Sequence, residues 1–203
     1  MKTRSRQQGF TLVELSIVLV IIGLIIGGVL TGQQIMQNAR ATNAINGIQA
    51  YQAQFQTYTQ NYGVLPGDDK DADERFSNLT GTTVIGDGNG KIDSATERTL
   101  AWAHLQAAGL VKNSTADEPA NPFSGTYSFH NGAFNSTFTT TTLCLDQVPA
   151  YAAQVIDSKL DDGVGDSGSI RAIAYSSTAD IEKTDANITT YSDEKTYILC
   201  TRM

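Results

Sequence analysis

The chain has 203 residues, enough for one domain plus an appendage with a real core. Apolar residues at 40% and charged ones at 17% exclude a highly charged disordered chain. With 14 basic and 21 acidic side chains, the net charge of -7 argues against general affinity for nucleic acid or anionic lipid.

Residues 1–9, MKTRSRQQG, carry Lys2, Arg4 and Arg6 and no acid. The 21 residues from Phe10 to Leu30 hold a single charge, Glu14. As a helix at roughly 1.5 Å per residue, that run covers about 30 Å, one bilayer core. The basic flank predicts a cytoplasmic amino terminus with the remainder exported. A signal anchor and a secretory signal peptide share these features, but GGVLTGQQ lacks the A-x-A exit of an ordinary cleavage site. A carboxylate at Glu14 costs roughly 2.5–3.5 kcal/mol on insertion scales. It therefore has a partner or a function, or is tolerated by lying near the interface.

The segment QQGFTLVELSIVLVIIGLIIGGVL resembles the amino terminus of type IV prepilins and type II secretion pseudopilins. The resemblance covers about 30 of the 203 residues. It implies a leader ending at Gly9, cleavage between Gly9 and Phe10 by an aspartic prepilin peptidase, and N-methylation of Phe10. It also implies that Glu14 of one subunit neutralises the new α-amino cation of a neighbour, because two buried charges become tolerable as a pair. Gly23/Gly27 and Gly28/Gly32 form two small-xxx-small pairs, which let helix backbones approach closely in an apolar medium. Many pilins have proline where this chain has Thr31.

Residues 33–62 contain no proline and only Gly47 as glycine. Ile35, Ala39, Ile45, Ile48, Tyr51, Phe55, Tyr58 and Tyr62 recur mostly every three or four positions, predicting an amphipathic continuation of the same helix. Gly63 and Pro66 mark its end. The expected organisation is leader 1–9, membrane and filament-core helix 10–32, amphipathic continuation 33–62, and head 63–203.

Asp68 and Asp69 open a turn-rich stretch in which solvation explains paired carboxylates. In GTTVIGDGNGKID, Asp87, Asn89 and Asp93 have EF-hand-like spacing around Gly90, although Ile85 and Thr96 occupy the two end ligand positions. Calcium or a plain Asx-turn loop are the two readings there. Ser94 or Thr96 caps a helix through ERTLAWAHLQAAG that stops at Gly109. His104 and His130 lack metal-ligand spacing and are expected to be packed or hydrogen-bonded. The segment Trp102–Leu110 is also similar to a subset of larger pilin-like heads.

Beyond Asn121, strand-like segments appear at Gly125–His130, Ala133–Leu145, Ser169–Ser176 and Thr196–Thr201, with a helix over Ala150–Leu160. The fold class is therefore α+β: a long amino-terminal helix packed on a carboxy-terminal antiparallel sheet. Cys144 and Cys200, 56 positions apart, would meet an oxidising compartment in an exported head and pair, two buried free thiols being the alternative. The family resemblance agrees, since many type IV pilins tie this region with one disulfide and many pseudopilins do not. Asp161, Asp162 and Asp166 lie among glycines and serines, a second calcium candidate or a solvated turn.

No nucleophile elbow, zinc-protease, Walker or dinucleotide motif is present, so no enzyme is expected. The reading is a pilin or minor pilin of a type IV pilus-like filament. Its partners are related pilin subunits, prepilin peptidase, the membrane and an inner-membrane assembly platform. The location is the bacterial inner membrane before assembly, then a surface pilus. A periplasmic pseudopilin of type II secretion is the alternative, followed by a displayed adhesin or calcium-binding module.

Overall fold

A computed structural model describes residues 10–79, 84–112, 118–135 and 137–203. The order of elements is α1 (Leu12–Tyr62), α2 (Ala72–Arg75), α3 (Ala95–Ala107), β1 (Tyr127–Ala133), β2 (Phe138–Pro149), α4 (Ala150–Leu160), β3 (Ile170–Ala174) and β4 (Thr196–Arg202). The chain divides into two units, one up to Ala39 and one from Arg40 to Met203.

The first unit is α-helical from Leu12 and shows its side chains to the outside. Seventeen large apolar residues between Phe10 and Met36 are exposed. Soluble monomers rarely carry an apolar surface of that extent, so something must cover it. Gly23, Gly27, Gly28 and Gly32 have nothing within 4 Å of where a Cβ would stand. The helix is unbroken at Thr31, whose hydroxyl donates to the Gly27 carbonyl at 3.0 Å and so keeps its polar group paired inside the apolar run.

The second unit is α+β. Its four-stranded sheet has the order β1-β2-β4-β3, all pairs antiparallel. One face packs on helices. From α1, Ala41, Ala44, Ile45, Ile48, Phe55 and Tyr58 are buried, the three-and-four spacing of a single stripe. They share a core with Trp102 of α3, Leu143 and Leu145 of β2, Ile156 of α4, and Ala172 and Leu199 of β3 and β4. Tyr51 meets Trp102 and Tyr127 edge-on with ring centroids 4.9 Å apart in each case, and Trp102 stacks on Phe129 at 4.4 Å. Gly47 has a steric reason: a Cβ there would run into the Tyr127 phenol. The other face carries a smaller cluster that includes Phe138, Cys144, Ile173, Ile198 and Cys200, with Tyr175, Ala179, Ile181 and Ala186 packed on it.

Helix α3 begins as its sequence predicts. The Ser94 hydroxyl accepts from Glu97 N, and Glu97 reaches back to Ser94 N, both at 3.1 Å, a complete capping box. It closes with Gly109 at φ 71°, a conformation that glycine adopts without steric cost.

Three expectations need correction. The segment expected as one strand from Ala133 is broken by a turn, with Phe134 and Asn135 at φ 57° and 51°. Strand β2 starts at Phe138 and runs on to Pro149, past a register shift between Leu145 and Val148 where Gln147 has φ 54°. The threonine-rich patch Thr137–Thr142, whose composition predicts an exposed strand, is exposed at Thr139 and Thr140, while Thr141 and Thr142 are buried by their strand neighbours. Asp68 and Asp69 are not solvated turn residues, being 3% and 0% exposed.

Candidate functional site

The amino-terminal signal is built on the first turn of α1. Thr11 precedes the helix, and its hydroxyl accepts from Glu14 N at 3.2 Å. In return, Glu14 Oε2 accepts from Thr11 N and from the Thr11 hydroxyl, both at 2.8 Å. The sequence Thr-x-x-Glu thus forms a reciprocal cap that occupies the only carboxylate between Phe10 and Ala39. A carboxylate at a helix amino terminus also lies at the positive end of the macrodipole. Phe10 is exposed beside it, and Gly9 lies outside the described residues. This turn can hold a carboxylate ready for a cation while its own backbone donors stay satisfied.

In the head, Cys144 and Cys200 form a disulfide between directly opposed residues of β2 and β4. His104 is buried and His130 partly buried, and both are used. His104 Nδ1 accepts from Gly67 N at 2.9 Å, so its Nε2 carries the proton and donates to the Val84 carbonyl at 2.8 Å. Burial lowers its pKa.

His130 stands in a serine–histidine–glutamate trio that requires inspection. Ser128 Oγ lies 3.1 Å from His130 Nε2, and Glu182 Oε1 lies 3.7 Å from His130 Nδ1. The Arg98 guanidinium, however, sits 2.8 Å from Nδ1 and 3.3 Å from Glu182. A guanidinium only donates, so Nδ1 is the acceptor and Nε2 holds the proton facing Ser128. A general base needs the opposite tautomer. The trio is a structural clasp between α3, β1 and the β3–β4 segment. Burial, and then Arg98, push the His130 pKa down to about 4.

The acidic candidates are redistributed. Asp87 comes within 4.8 Å of Asp68 and Glu97, whereas Asp93 is not part of that carboxylate group. Asn89 instead donates side-chain hydrogen bonds to Asp87 and Asp93 at 2.9 and 3.3 Å. Asp68 accepts from Asn89 N at 2.9 Å and Gly90 N at 2.7 Å, and Glu97 accepts from Asp93 N and Ser94 N at 3.1 Å each. Asp161 and Asp162 join Asp157, without Asp166, in a second group. Either group offers three carboxylates that could hold a divalent cation, but each already serves backbone or hydroxyl donors. Asp162 accepts from Val164 N at 2.9 Å, and Asp157 accepts from the Tyr191 phenol at 2.6 Å.

Sequence reasoning missed the role of Asp69. It accepts from the Tyr58 phenol at 2.8 Å and from Asp71 N at 3.0 Å, and pairs with Arg75. Burial raises its pKa, but Arg75, Tyr58 and the Asp71 N–H outweigh burial and leave it below the ordinary carboxylate value. The Pro-Gly-Asp-Asp run was visible, yet its partners come from α1 and α2.

An exposed apolar helix led by a capped carboxylate, followed in the chain by a disulfide-tied α+β head, fits a protein anchored in a membrane by its amino-terminal helix. Residues 4–30 match the family model described as the prokaryotic N-terminal methylation motif. The chain thus carries the hallmark of the prepilin-type signal of type IV pilins and pseudopilins. Comparison with curated proteins gives no match.

Proposed function

We propose that the chain is a structural subunit, a pilin or minor pilin, of a type IV pilus-like filament. The carrying observation is the coincidence of the methylation motif with an apolar helix left fully exposed from Phe10 to Met36. In this reading Gly9–Phe10 is the cleavage site for prepilin peptidase and Phe10 becomes the methylated amino terminus. The apolar segment sits in the inner membrane before assembly, and neighbouring subunits cover it afterwards. Release of the leader's three basic residues leaves eleven basic against 21 acidic side chains, a charge of -10. Glu14 then meets the α-amino cation of the next subunit, exchanging its Thr11 donors for an ion pair in an apolar medium.

The disulfide favours a pilus over a pseudopilus by resemblance, since many type IV pilins tie this region with one disulfide and many pseudopilins do not. Intact mass spectrometry of sheared surface filaments and of the membrane fraction tests the reading. The expected sheared species begins at methylated Phe10 and is two hydrogens lighter than the dithiol chain. A processed chain confined to the membrane fraction would point to the pseudopilin instead, and an intact Met1 would overturn assembly altogether.

A further inference from the structure

The second face of the sheet ends in an arrangement that the anchor and the core do not use. Arg171 of β3 stands opposite Cys200, and Arg202 lies two residues further along β4, opposite Thr142. Opposed and alternate residues share a face of an antiparallel sheet, so both arginines lie on the disulfide side. Both guanidiniums sit over the same ring, with carbons 5.8 and 5.4 Å from the Phe138 centroid. Phe138 itself is buried beneath them.

Neither arginine forms an ion pair among the described residues, although the chain is strongly acidic. Arg171 donates to the Asp166 carbonyl, and its Nε is buried without a partner. Asp162 attracts Arg171 through space but makes no ion-pair contact with it, so the two neighbouring cations are incompletely balanced and an incoming anion relieves their repulsion. Stacking on an aromatic ring holds the planar groups in place beforehand, so little side-chain freedom remains to be lost on contact. Arginine and aromatic groups are also enriched at the energetic centres of protein interfaces.

We infer that Arg171 and Arg202, held over Phe138, form a docking surface for the acidic surface of a second copy of this chain. The inference rests on the filament reading above and names the head contact within it. Charge complementarity identifies the occupant. Exposed carboxylates with no ion pair among the described residues occur at Asp73 and Glu74 on α2, and at Asp193 and Glu194 just ahead of β4. Copies of net charge -10 repel at long range, so side-by-side heads need local pairing of this kind. A cationic patch meeting a different, acidic patch is a heterologous contact, which propagates into an open helical filament when the rotation does not close.

The test uses the full chain in cells that assemble it, comparing R171E/R202E with wild type for cleavage, membrane insertion, head stability in detergent and sheared filament yield. The expected result is normal cleavage and insertion with filament yield lowered at least ~10-fold, the scale of lost interfacial charge pairs. Reversal of the acidic pair, as D73R/E74R or D193R/E194R, should restore yield in the R171E/R202E background and so identify the partner patch. Wild-type yield from R171E/R202E would overturn the inference, as would failure of both reversals to restore any filament. Should R171E/R202E destabilise the head, R171Q/R202Q replaces it, and normal yield from that folded variant has the same overturning force. If wild-type chain is neither cleaved nor assembled, the filament reading fails first, and this inference falls with it.

Discussion

Helix α1 belongs to two regions that treat polarity in opposite ways. Between Leu12 and Met36 it exposes its large apolar side chains, and its one carboxylate is satisfied locally by Thr11. From Ala41 onward the same helix buries its apolar stripe, and the carboxylates nearest that part of the core are enclosed, with Asp69 fully buried against Tyr58. Local satisfaction keeps a charge available for exchange, since its partners lie in the same helical turn and move with it. Long-range satisfaction fixes a charge, since removing it leaves two elements without their link. The amino-terminal carboxylate is therefore suited to assembly and the head carboxylates to architecture.

The largest effect should come from Glu14. On the proposed filament reading, Glu14→Ala is expected to leave membrane insertion intact and to abolish filament formation, because the proposed subunit-to-subunit cation pairing is lost along with the local Thr11 cap. Comparing membrane and sheared fractions by immunoblot checks this, and undiminished filaments would remove the contrast with the head. Next comes Asp69→Ala, which strands Arg75 and the Tyr58 phenol. Breaking a buried pair from one side costs about 3–5 kcal/mol, to be read from denaturant unfolding of the detergent-solubilised chain. Insertion and cleavage should be unaffected by that change.

The disulfide ranks just below. Removing both thiols, as Cys144→Ala with Cys200→Ala, opens a tie across 56 positions of sequence. The chain-entropy treatment gives about 3–4 kcal/mol for a loop of that length. Loss of melting temperature in the double variant, with wild type under reducing conditions as the companion measurement, checks the expectation.

These features were unequally legible in the sequence. The signal segment was readable because its chemistry is linear: a basic flank, an apolar run and one acid at fixed spacing. Helix α3 was readable for the same reason, since Ser94 and Glu97 cap it within one turn. The α+β class and the pairing of Cys144 with Cys200 followed from composition and compartment. The burial of Asp68 and Asp69 was not legible, because their partners are Tyr58, Arg75 and the backbone donors of Asn89 and Gly90. Backbone N–H groups have no sequence signature, and only the folded loop aims them inward. The meeting of Arg171 with Arg202 was equally hidden, as it depends on strand register.

The smallest effect sharpens the comparison by pH. His130 is the partly buried titrating group of the Arg98–Glu182 clasp, and its pKa is lowered to about 4 from an ordinary 6.5. A histidine held neutral in the fold binds protons more weakly than in the unfolded chain. Its contribution to stability is therefore fully present above pH 6.5 and is lost as pH falls toward about 4, with no further loss below that. The shift from 6.5 to about 4 corresponds to at most about 3–4 kcal/mol over this window, counted at 1.36 kcal/mol per pKa unit. His130→Asn keeps an acceptor for Arg98 but cannot titrate, so its stability should be flatter between pH 6.5 and 4 than that of wild type. Asp69, with its depressed pKa, contributes the opposite window: its stabilisation is present above the unfolded carboxylate range and disappears only as pH drops below it. A melting-temperature series on both forms separates the two, since the His130→Asn difference should vanish above pH 7 and the Asp69 loss should persist in both at low pH. An identical profile for wild type and His130→Asn would show that the clasp holds its charge in the fold, contrary to the tautomer that Arg98 imposes.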